Sequence, residues 1–76
     1  MEVEKRLKTW QGTVPVECDL CQWPVTTEFF DARTRSGRWG NLCRACWAAE
    51  NGKLGTGLAQ RYVQVVAGVW VMKETV

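Results

Sequence analysis

Four cysteines spaced C-x2-C-x21-C-x2-C constrain this chain more than any other feature. Cys18 and Cys21 form one pair, in CDLC, and Cys43 and Cys46 form the other, in CRAC. Two intervening residues let both sulfurs of a tight turn face one ion, while backbone amides of the turn hydrogen-bond to those sulfurs. Two such knuckles, joined by a β-segment, complete a tetrahedral thiolate cage. The 21-residue spacer slightly exceeds the ~15–20 residues usual for the pattern, and the extra length adds almost nothing to the cost of closing the loop. The expected cofactor is one Zn2+ ion held by Cys18, Cys21, Cys43 and Cys46. With every coordination position filled by protein, no water is activated and no carbonyl polarised, so the zinc is structural.

Two other chemistries use the same residues. Iron in a rubredoxin-like site has the same four ligands, but those turns generally carry glycine just after the second cysteine. Here Gln22 and Trp47 stand in those places. A thiol–disulfide oxidoreductase needs its CxxC at a helix start on a larger α/β body, which 76 residues do not easily provide.

Length favours a staple, since small domains usually recruit disulfides, a metal or a partner chain. A chain of 76 residues is one domain, and such a chain buries only about 60–65% of its unfolded surface, so its core alone is marginal. The N-terminus, MEVEKRLKTW, is charged and no apolar run follows it, so no secretory signal is expected. The most apolar run, VVAGVWVM at 65–72, is far shorter than a membrane span. The expectation is a soluble, cytoplasmic protein, in a compartment where paired cysteines hold metal more often than they form bridges.

Read along the chain, the pattern is that of a small β-rich (α+β) zinc ribbon. Val3, Leu7 and Trp10 fall at helical spacing, giving one or two amphipathic turns or, from TWQGTV, the opening of a strand. VPVEC reads as extended and CDLCQWP as the first knuckle. VTTEFFDA at 25–32 is β-branched and aromatic, hence a strand, and RTRSG is a turn. RACWAAEN at 44–51 reads as a short helix stopped at Asn51-Gly52. The glycine-dense GKLGTG follows, then QRYVQVV and VWVMKET, two strands of a C-terminal β-hairpin turning at Ala67-Gly68. The division expected is an N-terminal extension, 1–15, and a zinc-ribbon domain, 16–76.

Charge is polarised along the chain. Residues 1–32 carry a net −3, residues 33–61 a net +5 and residues 62–76 none. Four thiolates and one zinc bring the formal +2 to zero, so overall charge does not favour nucleic acid. The basic middle does, because clustered arginines neutralise phosphates and an aromatic among them can stack a base. The candidate nucleic-acid-binding residues are Arg33, Arg35, Arg38, Trp39, Arg44, Lys53 and Arg61. Trp39 itself reads first as core and second as a stacking platform. Trp23 and Trp47, each following a knuckle's second cysteine, read as lids over the metal, and Trp70 as core.

Catalytic machinery is thin. There is no histidine and no carboxylate pair with a common site, so an enzyme is not expected. GKLGTGLAQ is neither a Walker A loop nor a dinucleotide fingerprint, since Gln60 stands where the third glycine would be. Its glycines read as suppliers of left-handed turns.

The run SGRWGNLCRACWAAENGKLGTGLAQRY at 36–62, with CDLC and TTEFFDARTR, resembles short zinc-ribbon proteins encoded in bacteriophage genomes. Their pattern is Cys-x-x-Cys, a strand ending in Asp, a Thr-Arg turn, Gly-x-Trp-small-Asn-x-Cys-x-x-Cys, and a Gly-Leu-Gly-Thr-Gly loop leading to Gln-x-Tyr. The likeness spans roughly residues 16–72, and departs at Lys53 and Ala59, where glycine is common, and at Trp47, often histidine. The resemblance implies zinc at the four cysteines and a phage origin, hence a host-cell cytoplasm. It implies no activity. The expected function is binding without catalysis, with nucleic acid as partner through the basic segment. The alternative is a phage factor that docks on a host protein such as RNA polymerase or a nuclease. No membrane and no small-molecule substrate is expected.

Overall fold

In the computed structural model, residues 9–50 and 52–75 are described. The helical turns read from Val3 and Leu7, and the stop at Asn51, lie outside them. The fold is a four-stranded antiparallel sheet: β1 (Glu28–Arg33), β2 (Trp39–Leu42), β3 (Ala59–Val66) and β4 (Val69–Lys73), in the order β2-β1-β3-β4. One helix, α1 (Arg44–Glu50), follows β2. The small β-rich zinc ribbon expected from the sequence is the fold observed, with its C-terminal hairpin turning at Ala67 and Gly68.

Strand alternation sends adjacent residues to opposite faces, and in β1 both faces are covered. Phe30 and Ala32 face α1 and the cysteines, in a cluster with Cys18, Leu42, Trp47 and Ala59. Phe29 faces the other way, in a cluster with Tyr62 and Trp70 against which Trp10, Val14, Val25 and Met72 pack. The register explains both sets: Phe30 stands opposite Leu42, and Phe29 opposite Tyr62. One rung on the cysteine side is made only of small residues, Gly40, Ala32 and Ala59.

Both outer edges of the sheet are capped by chain from outside it. Asp19 of the first knuckle serves β2: its amide donates to the Asn41 carbonyl at 3.0 Å, and its Oδ2 accepts the Asn41 amide at 2.8 Å. A Cβ added at Gly40 would lie 3.2 Å from that Oδ2, a tight approach that would press the Asp19 carboxylate back by a few tenths of an ångström. At the other edge Thr9 bridges to Val71, and the Trp10 amide donates to the Trp70 carbonyl at 2.9 Å.

Candidate metal centre and the basic segment

The first knuckle is the tip of a narrow hairpin. The Val25 amide donates to Val16 and the Cys18 amide to Trp23, which brings Cys18 and Cys21 to the end of the turn. Within the turn the Leu20 amide donates to Cys18 Sγ at 3.4 Å. Gln22 adopts the left-handed conformation, φ 63°, in the place where a rubredoxin-like turn carries glycine. The second knuckle is built differently. It is the entrance to α1: the Cys46 amide donates to Cys43 Sγ at 3.5 Å, and the Trp47 amide to the Cys43 carbonyl at 2.9 Å.

These two turns bring all four sulfurs within 4.8 Å of one another. A tetrahedron with Zn–S bonds of ~2.3 Å has corners about 3.8 Å apart, and Cys21 Sγ lies 3.7 Å from Cys43 Sγ. The electrostatics fit a dication. Burial opposes the Cys18 thiolate, but amide hydrogen bonds from Cys21, Cys43 and Leu20 outweigh it and bring its pKa down to about 6. Burial and then the neighbouring sulfurs push Cys46 up. Crowded sulfurs cannot all carry charge unaided, and a bound dication removes that conflict. The donor set, spacing and amide pattern form a tetrathiolate site suited to one structural zinc ion.

The exposure of the cage is graded. Cys18 is fully buried, Cys43 and Cys46 are half-buried, and Cys21 is exposed. Trp47 covers one flank as expected, stacking on Phe30 at 4.2 Å and 9° and donating its indole N–H to the Lys53 carbonyl. Trp23 does not. At 69% exposed it is no dry lid.

The basic residues divide. Arg44 and Arg61 converge on one carboxylate: Glu28 accepts from Arg44 Nε at 2.8 Å and Nη2 at 2.9 Å, and from Arg61 Nε at 2.8 Å. Hydrogen bonding from Arg44, reinforced by Arg61, holds the Glu28 carboxyl below the usual range. Arg44 also lies 5.6 Å over the Phe30 ring, and Arg61 donates to the Thr75 carbonyl. Arg35 ties the β1–β2 turn to the end of α1, donating to the carbonyls of Glu50 and Ala49 at 3.0 and 2.8 Å. Those last carbonyls have no intrahelical partner, and a guanidinium there also complements the helix dipole.

Lys53 and Arg33 are exposed, and Arg33 stands across the ladder from Trp39. Arg38 is exposed beside it. The expectation of Trp39 as core is corrected: it is 50% exposed, at the first position of an edge strand. Arg38 and Trp39 border a notch of about 320 Å³ with Asp19, Leu20, Thr34 and Ser36. The seven basic-segment candidates thus do not form one group: Arg33, Arg35, Arg38 and Trp39 lie at the end of the β1–β2 hairpin, with Arg35 engaged to α1, while Arg44 and Arg61 meet at Glu28.

Sequence reading missed Glu28 altogether. Its partners lie 16 and 33 residues away, and no local pattern marks it. It also left unplaced the polar residues of the phage-type pattern, Asp31, Asn41 and Gln60, which form a single rung across three strands. The loop glycines do what was expected, with φ of 136° at Gly55 and 79° at Gly57.

Fold and site together define a small zinc-ribbon module. No protein-family model, no curated protein and no solved structure matches this chain. No helix among the described residues is long and apolar enough to cross a membrane.

Proposed function

We propose that this chain is a zinc-stabilised binding module without catalytic activity, and that its ligand is single-stranded nucleic acid gripped at the β1–β2 hairpin tip. The observation that carries this reading is Trp39. A large ring left half exposed beside exposed Arg38 offers a stacking surface next to a cation that can meet phosphates. The reading is narrower than the basic segment as a whole, since Arg35, Arg44 and Arg61 already serve the fold. On the resemblance to phage-encoded ribbons, the setting is a host cytoplasm.

Fluorescence titration with a short single-stranded oligonucleotide at two salt concentrations tests it. Binding at low salt should weaken as salt rises, and Trp39→Ala should weaken it by about tenfold or more. No binding at low salt would sink the reading. Trp23 and Val16, exposed around the first knuckle, favour a second reading as a dock for a host protein. Capture of such a protein from host lysate that survives nuclease treatment, and is lost with Trp23→Ala, would select it.

A further inference from the structure

We propose that Cys21 is a modification site: a peroxide-reactive thiolate that closes onto Cys43 and thereby opens the metal cage. A groove of about 330 Å³ runs along one side of the centre. Its lining includes two of the four cysteines, Cys21 and Cys43, together with Trp23, Pro24, Thr26 and Arg44. Cys18 and Cys46 are not part of it, and Cys18 is fully buried. A small oxidant in the groove therefore meets one sulfur from each knuckle, 3.7 Å apart, and meets Cys21 with the least obstruction.

Zinc-ligating cysteine is held as the thiolate, and the thiolate is the form that attacks electrophiles. The Cys21 sulfur attacks one oxygen of hydrogen peroxide. An S–O bond forms, the O–O bond breaks, and hydroxide leaves, giving the sulfenic acid. The Cys43 thiolate then attacks that sulfur, forming the S–S bond as the S–O bond breaks and a second hydroxide departs. Both hydroxides take protons from solvent and become water. The two sulfurs together lose the two electrons that peroxide gains. Two of the four ligands are spent, and Cys18 with Cys46 alone cannot complete a tetrahedral site. Because the new bond joins the two knuckles, it also tethers the chain in a form from which a thiol reductant and fresh zinc can restore the cage.

The test uses the full zinc-loaded chain. It is titrated with hydrogen peroxide while a chromogenic chelator reports zinc and peptide mass mapping locates disulfides. Expected are one zinc released per disulfide formed and Cys21–Cys43 as the first bond. Brief treatment with limiting N-ethylmaleimide should label Cys21 ahead of the other three. A dithiol reductant with added zinc should restore the starting circular dichroism spectrum. A first disulfide within either knuckle, first labelling at Cys18 or Cys46, or zinc retained through excess peroxide would each overturn the proposal.

Discussion

On one side of β1, Phe30 packs among small residues, a short helix and the cysteines. On the other side, one residue earlier, Phe29 packs among large rings. It stacks on Tyr62 at 5.3 Å, meets Trp10 edge-on at 5.0 Å and lies 5.4 Å from Trp70. Both phenylalanines are fully buried. The metal side is assembled from parts distant in sequence and relies on bonds to an ion for its order. The ring side relies on apolar area and ring geometry alone. The comparison teaches that a chain too short for one full core has divided the task, adding coordination to a single ring stack on one side and using a cluster of four rings on the other.

Metal removal breaks this comparison most sharply. Coordination in small zinc domains carries about 10–16 kcal/mol, more than such a chain can replace. A strong chelator should therefore abolish the β-sheet circular dichroism and shift tryptophan emission to the red, showing that the ring side does not stand alone. Retention of near-ultraviolet signal by the stripped protein would mean that it does.

Adjacent substitutions sharpen the comparison. Phe29→Ala and Phe30→Ala should each cost about 3–5 kcal/mol in thermal or denaturant unfolding of the zinc-loaded protein. They should differ in a cobalt-substituted sample. Phe30→Ala, which removes the platform under Trp47, should perturb the thiolate-to-cobalt absorption bands, whereas Phe29→Ala should leave them in place.

Glu28→Gln comes next, at about 1–3 kcal/mol, mostly from leaving the less exposed Arg61 without its carboxylate. The half-exposed Arg44 pair contributes less. Because Glu28's folded pKa is depressed, its contribution is present above the unfolded value of about 4.3 and is lost as pH falls through the lower folded value. The gap between parent and variant should therefore stay constant from pH ~8 to ~5 in saturating zinc, by thermal melts. The smallest effect belongs to the first knuckle. Gln22→Gly relieves a left-handed φ of 63° and should raise stability by up to about 1 kcal/mol.

What was legible in the sequence follows from range. β1, β3, β4, α1, the hairpin turn and the four metal ligands are written in local patterns and in a spacing with one chemical solution, whereas β2, four residues with a central glycine, carries no strand pattern. Clustering of arginines is also local, but what an arginine does depends on which carboxylate or carbonyl the fold brings to it. Arg44 sits near Arg38 in sequence, yet it is bound to Glu28 while Arg38 is exposed. Trp39 and Trp47 flank the same knuckle, and only the layer order decides that one stacks on Phe30 and the other faces solvent. Gly40 carried no signal beyond being small. Its reason is the Asp19 carboxylate, 21 residues away in sequence.

That Asp19 contact has a further consequence. The first knuckle covers the hydrogen-bonding edge of β2 only while the cage holds it there. A chain that loses its metal frees the β2 segment together with the exposed tryptophan beside it, and unpaired strand segments template pairing with other chains. Zinc should thus also guard against aggregation: metal-depleted preparations, unfolded at first, are expected to cloud on standing.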